Sequence, residues 1–276
     1  MEYYVQMRKT TLVIIINILT VTMICSCKME QSSSPEQLLS RAKIIAEVDP
    51  QGALLVIDSL HELYPRDIRS RREADTIEWQ IELNEAQKNL PMLDSLLKAD
   101  STRLQELVKS FHYSKMDEYQ DYGIYEHNRF MTENNTGRCY LKTTINDIGE
   151  LVMISIYSGK EAAHSSFTVT VDGLEKHISE TDNISGFTDG GTYREFITIN
   201  DNIENGVTGL IASCESEVII RLEGESSYEY TMTMGDIQAF KETMELAKLL
   251  QEMHLFQIQT SKFSNKIEIL STRLGK

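Results

Sequence analysis

Two apolar series with the same rhythm constrain this chain more than any other feature. Leu90, Leu93, Leu97, Asp100, Leu104, Leu107 and Phe111 follow one another at alternating steps of three and four. Leu246, Leu249, Met253, Phe256, Thr260, Phe263, Ile267, Leu270 and Leu274 do the same near the C-terminus. A mean step of 3.5 residues keeps one stripe on a slightly underwound helix, the pattern of a coiled coil. No Pro or Gly lies between Asp236 and Leu274. One continuous helix over 236–274 is therefore expected, roughly 58 Å long at 1.5 Å per residue.

Between the two series the period drops to two. Segments 137–146, 151–159, 166–172, 192–200, 207–213, 217–224 and 228–234 read as short strands, with Asp147-Ile148-Gly149 as a hairpin loop. Strands at this spacing, separated by turn residues, predict an antiparallel β-sandwich or barrel over residues 130–235. The helical segment 67–116 enters that domain, and 236–274 leaves it. The two seams would then pair as an antiparallel coiled-coil stalk, or, alternatively, between copies of the chain.

Residues 34–66 carry a second helical pattern. Ser34-Pro35-Glu36-Gln37 combines a capping serine, a proline suited to the first turn and a glutamine that closes a capping box. Asp49-Pro50 repeats the start signal, and Pro65 stops the second helix. Leu38, Ala42, Ile45 and Ala46 line one helix; Ala53, Ile57 and Leu60 line the other. Ala53, Ile57 and Pro65 resemble the second-helix alanine, large apolar residue and terminal proline of a tetratricopeptide unit. The first helix lacks that family's aromatic residue and glycine. Leu38, Ala42, Ala53 and Ile57 are expected to be hairpin core, or else to line a partner-binding groove. More helix follows, interrupted near Asn89-Leu90-Pro91. The expected fold class is thus α+β: an N-terminal helical hairpin and an antiparallel coiled-coil stalk carrying an antiparallel β domain.

The N-terminus has the parts of an export signal. Arg8 and Lys9 precede an apolar run from Thr11 to Ile24. That run is shorter than the roughly 20 apolar residues a bilayer span needs. It ends in Ile24-Cys25-Ser26-Cys27, which resembles a lipobox with Cys27 as the lipidated residue. The resemblance implies a signal peptide over 1–26, an acylated Cys27 in the bilayer and a polar tether over 27–33. Two or more acyl chains suffice for stable attachment.

The chain carries 27 basic and 42 acidic groups, a net charge of −15. Nucleic acid is not an expected partner, because binding phosphate needs clustered Lys and Arg. The same balance predicts that the body stands off anionic headgroups. Cys139 and Cys214 are the other two cysteines. An export compartment permits their pairing, but both lie in strand-like segments, where small buried thiols are common, and free thiols are the expectation. No Cys-x-x-Cys exists, so neither a zinc ribbon nor a thioredoxin motif is present.

Chemical motifs are few. His61, His112, His127, His164, His177 and His254 contain no pair at i, i+4, which removes a zincin. His164 precedes Ser165-Ser166, but sequence adjacency supplies neither an orienting acid nor an oxyanion site. There is no phosphate loop and no Gly-x-Ser-x-Gly elbow. Glu180-Thr-Asp182-Asn183 with Asp189-Gly-Gly, and Asn200-Asp201-Asn202 with Glu204, lack calcium-loop spacing and read as turns. No catalytic residue, metal or cofactor is expected. Tyr157, Phe187, Tyr193, Tyr228 and Tyr230 could form a sugar-stacking platform, although strand aromatics more often pair across strands. Asp58-Ser59-Leu60, Asp75-Thr76-Ile77, Asp94-Ser95-Leu96 and Asp100-Ser101-Thr102 resemble the O-glycosylation motif of exported Bacteroidetes proteins. That resemblance marks Ser59, Thr76, Ser95 and Ser101 as candidate acceptors.

The lipobox, Asp49-Pro50-x-x-Ala53-Leu-x-x-Ile57-Asp-Ser-Leu60, and Leu151-Val-Met-Ile-Ser-Ile-Tyr157-Ser-Gly159 with His164 together resemble an uncharacterised class of Bacteroidetes envelope lipoproteins. The resemblance implies an outer-membrane anchor. Lys28-Met29-Glu30 only partly matches that phylum's surface-display signal, so either face of the membrane fits. The expectation is a non-enzymatic binding or scaffolding lipoprotein with an envelope protein partner. A carbohydrate-binding β domain and an envelope hydrolase using His164 are the alternatives.

Overall fold

The computed structural model describes residues 33–276 except 117, 119, 161–163, 180–182 and 201–205. The export segment and Cys27 lie outside the described residues, as do Glu180, Asp182, Asp201, Asn202 and Glu204. No described helix is long and apolar enough to cross a membrane. The chain divides into two compact units, Met1–Gln87 with Lys266–Lys276, and Lys88–Asn265.

In the first unit, α1 (Pro35–Ile45) and α2 (Pro50–Leu63) form the hairpin. Their starts follow from local chemistry. Ser34 Oγ accepts from the Gln37 N–H at 3.3 Å while Gln37 Oε1 accepts from the Ser34 N–H at 2.9 Å. Asp49 accepts from the Gly52 N–H at 2.9 Å. These bonds satisfy amide donors that a helix start leaves open. Leu38, Leu39 and Ala42 of α1 pack with Val56, Ile57 and Leu60 of α2 and with Ala74. Ala42 and Ala53 are fully buried. Of the two expected roles, core and groove lining, Leu38, Ala42, Ala53 and Ile57 take the first: small side chains at 42 and 53 let the two helices close on each other.

Helix α3 (Ile68–Leu107) runs unbroken through Pro91, so the expected interruption at Asn89-Leu90-Pro91 does not occur. A proline removes one N–H and crowds one carbonyl, at a cost of about 3 kcal/mol. Here its ring is exposed, and apolar residues on the sheltered side, Leu83, Ala86 and Leu93, continue the helix across it. Helix α5 (Met234–Leu274) matches the expected single helix. Its last turns belong to the first unit, where Lys266 pairs with Glu82 at 2.9 Å and Arg273 lies over Trp79 at 5.2 Å.

The second unit contains two antiparallel sheets. One has the order β1 (Phe111–Ser114), β2 (Ile124–His127), β3 (Tyr140–Asn146), β4 (Leu151–Gly159), β8 (Thr192–Asn200), β7 (Ile184–Asp189). The other has the order β10 (Tyr228–Thr231), β9 (Val218–Gly224), β5 (His164–Val171), β6 (Leu174–Ile178). β structure thus starts at Phe111, well before the expected boundary at residue 130. Segment 207–213, expected as a strand, is instead helix α4 (Val207–Ser213). Its buried positions, Val207, Thr208 and Ile211, have helical spacing, so packing overrides the β-branched composition. Leu141, Met153, Ile197 and Ile199 of the first sheet share one core with Phe167, Val169, Val218 and Ile220 of the second and Phe240 of α5. Cys139 and Cys214 are both buried and unpaired.

The 3.5-residue series coincide with shelter from solvent. Leu246, Leu249, Met253 and Leu270 are buried, and Phe256, Thr260, Phe263 and Ile267 are half-buried. On α3, Leu93 is buried and Leu90, Leu97, Leu104 and Leu107 are half-buried.

Candidate functional site

The most unusual chemistry lies where the two sheets meet. Ser155 occupies the middle of β4, opposite Leu141 of β3 and Ile197 of β8. Glu195 sits two residues from Ile197 on β8, so period-two alternation puts it on the same face as Ser155. His164 opens β5 in the other sheet. Strict alternation would turn it to the face of Ser166 and Thr168, away from the core residues Phe167 and Val169. Instead, the β5–β9 register shifts between His164 and Ser166. An extra residue in a strand re-aims its neighbours, and His164 reaches the first sheet.

The result is a buried polar chain. Glu195 Oε1 accepts from the His164 backbone N–H at 2.6 Å and from His164 Nδ1 at 2.5 Å. A carboxylate only accepts, so Nδ1 carries the proton. His164 Nε2 is then the acceptor for the Ser155 hydroxyl at 3.2 Å. Tyr193 donates to Glu195 Oε2 at 3.4 Å. Burial pulls the His164 pKa below its ordinary value, outweighing the Glu195 carboxylate, and keeps the ring neutral.

Serine, histidine and glutamate in this order are the parts of a hydrolase triad. Two features of the site bear on whether it could act as one. Ser155 is completely buried. Its strand is also paired on both sides, with β3 and with β8. Its backbone therefore lies in a ladder rather than at a sharp turn with free amides facing an oxyanion. The adjoining cleft, about 820 Å³, is walled by His164, Ser166, His177, Glu195, Glu223 and Glu225 but not by Ser155. On its rim Thr168 Oγ1 lies 3.1 Å from both His177 Nδ1 and Glu223, and Arg221 donates to Glu223 at 2.8 Å. No cluster of His, Cys, Asp or Glu among the described residues could hold a metal ion.

A second polar centre surrounds Asp236. Asp236, almost fully buried, accepts from Arg129 Nε at 2.9 Å and from both terminal nitrogens of Arg138 at 2.8 and 2.9 Å. Burial opposes its ionisation, but hydrogen bonds from Arg138, Arg129 and Thr233 outweigh that and hold the carboxyl at about 2. Thr233 and Asp236 also cap α5 reciprocally: Thr233 Oγ1 accepts from the Asp236 N–H at 3.2 Å, and Asp236 Oδ2 from the Thr233 N–H at 3.4 Å. Thr233-x-x-Asp236 was a legible helix start; its arginine partners, about a hundred residues away, were not.

The remaining expected sites are dispersed. Ser59, Thr76 and Ser95 donate to the carbonyls of Leu55, Arg72 and Pro91, each 2.9 Å away and four residues back. Thr76 and Ser101 are exposed on α3. Tyr157 and Tyr228 meet at 83° rather than side by side, and Phe187 stacks on Phe196 at 5.7 Å. His127 pairs with Glu242, and His61 with Asp75. No family model, no curated protein and no solved structure matches this chain.

Proposed function

We propose that this is a lipid-anchored envelope protein with a non-catalytic binding or scaffolding role. Acylated Cys27 holds it on the outer membrane, and the helical hairpin contacts an envelope protein. One observation carries the partner reading. Ile44, Val48 and Leu55, on α1, the following turn and α2, are 72%, 88% and 68% exposed, although the hairpin already has a closed core. Large aliphatic side chains left outside such a core suit a protein interface. Replacing all three with Ser is expected to abolish cross-linking of the acylated protein to an envelope partner in intact cells. Unchanged cross-linking would overturn the reading. Within this proposal the two sheets face each other as a sandwich, supported by their shared core. The seams of α3 and α5 run antiparallel, supported by Arg103–Glu245 at 2.6 Å in one unit and Lys266–Glu82 in the other.

The Ser155–His164–Glu195 chain favours a second reading, an envelope hydrolase. Attack requires a substrate carbonyl to reach Ser155 Oγ, which the sealed strand opposes. A fluorophosphonate probe is expected to leave Ser155 unlabelled; stoichiometric labelling lost in Ser155→Ala would establish the hydrolase instead.

A further inference from the structure

The turn joining α2 to α3 combines exposed aliphatic side chains with exposed arginines. Leu63 and Ile68 flank it and are 62% and 63% exposed. Arg66 and Arg72 are exposed, and the Arg69 side chain is 91% exposed. In a chain of net charge −15, the stretch from Leu63 to Arg72 holds four arginines and one acid, Asp67. Asp67 accepts from the Ser70 N–H at 3.1 Å as a helix cap, and Arg71 braces the turn by donating to the Pro65 carbonyl at 3.0 Å. Arg69 has only a long contact, 3.5 Å, with Glu73.

The position of this corner matters as much as its composition. The Tyr64 hydroxyl donates to the Ser33 carbonyl at 2.7 Å, so the first described residue is fastened to this turn. Ser33 follows Cys27 by six residue steps. At about 3.3–3.6 Å each, they span at most roughly 20 Å. If Cys27 is in the bilayer, this corner is within reach of the headgroups.

We infer that Leu63, Arg66, Ile68, Arg69 and Arg72 form a membrane-docking corner for anionic phospholipid, seated on the bilayer that holds the anchor. The inference rests on the anchored reading above. The arginines meet the negative headgroups, and the two aliphatic side chains enter the interface. The acidic remainder of the chain is repelled, which gives the protein one preferred face towards the lipid. The expectation that the whole body stands off the membrane is thereby revised at one corner.

The test uses the mature chain from residue 27 carrying Cys27→Ser, which removes the acyl chains and leaves the rest intact. Flotation with vesicles of phosphatidylethanolamine and about one third phosphatidylglycerol is expected to recover it at low salt, whereas pure phosphatidylcholine vesicles do not. Reversal with R66E, R69E and R72E together should weaken binding by more than about a hundredfold, about fivefold for each arginine lost and further for the acids gained. Leu63→Ser with Ile68→Ser should weaken it less. An unchanged thermal midpoint shows that these exposed substitutions leave the fold intact, and R66Q, R69Q and R72Q give a milder version. Equal binding to both vesicle types, or retention by the reversed variant, overturns the inference. So does loss of an envelope protein cross-link by the reversed variant with vesicle binding unaffected. Mass spectrometry of Cys27 from cell membranes decides the anchor separately. Acylated Cys27 without vesicle binding by the Cys27→Ser chain overturns the corner alone. Unmodified Cys27 with arginine-dependent vesicle binding overturns the anchor and supports the corner.

Discussion

The helical unit and the β unit are held by different kinds of contact. The hairpin closes on bonds that span three residues, Ser34 with Gln37 and Asp49 with Gly52, and on alanines that let two neighbouring helices approach. The β unit depends on polar contacts between distant parts of the chain in which at least one partner is buried, whereas the helical unit's own distant pairs, such as Lys266 with Glu82, lie nearer the surface. Arg129 and Asp236 are 107 residues apart, and His164 and Glu195 are 31 apart. Each such contact leaves charged or hydrogen-bonding groups stranded if one partner is lost. The β unit should therefore be the more brittle of the two towards single polar substitutions, and the hairpin the more forgiving.

The largest expected effect tests that contrast directly. Asp236→Ala removes the carboxylate that two arginines share and takes away a cap of α5. Breaking such a buried pair costs about 3 kcal/mol, and Asp236→Asn should recover only part of it. Urea unfolding would measure the loss. Hydrogen exchange should place it in β3, β9 and the first turns of α5, with α1 and α2 unchanged. Equal acceleration of exchange in α1 and α2 would show that the two units do not differ in this way.

The same contrast explains what could be read in advance. The hairpin was legible because its signals are local: Ser-Pro, Asp-Pro and the Pro65 stop all act within one turn. The long helices were legible from their 3.5-residue rhythm; Pro91 does not break α3, because one missing N–H on its exposed side does not outweigh the packing of Leu83, Ala86 and Leu93 on its sheltered side. In the β unit, β6 and β7 were missed although their turns are conspicuous. Asp172 and Gly173 take φ of 50° and 78°, and Gly190 and Gly191 take 56° and 83°. These are two-residue hairpin turns whose Asp-Gly and Gly-Gly sequences suit them. Segment 207–213 went wrong for the opposite reason, since β-branched residues there serve a helix. The Ser155–His164–Glu195 chain was not legible at all. In sequence His164 stands beside Ser165 and Ser166, yet the register shift turns it to Ser155, and nothing local announces that shift.

Acidification offers a second, smaller way to sharpen the comparison. Asp236 has a folded pKa of about 2 against 3.8 in a free chain. A depressed carboxylate contributes stability that is fully present above the free value and is lost as pH falls through the folded one. The contribution is about 2 kcal/mol, disappearing between about pH 4 and pH 2. His164 acts earlier on the same unit. Its folded pKa lies below 6.5, so as pH falls past that value the unfolded chain takes up the proton first and the folded state loses ground. Stability of the β unit against pH should therefore slope twice, and Asp236→Asn should flatten only the more acidic slope. A wild-type curve without that acidic slope, or one the variant leaves unchanged, would remove Asp236 from the account.

The smallest effect belongs to the hairpin. Ser34→Ala deletes one half of a capping box, and Asp49→Ala deletes the acceptor for the Gly52 amide. Losing an N-cap side chain typically costs about 1 kcal/mol. The freed amides here are at exposed helix starts, so water can replace the lost acceptor. The expected result is faster exchange confined to the first turn of α1 or α2, with the interior held by Leu38, Ile57 and Leu60. If either cap instead unfolded the whole hairpin, the core between α1 and α2 would be too weak to stand without it. The unit with local contacts would then be the brittle one, and the order of fragility argued from Asp236 would be reversed.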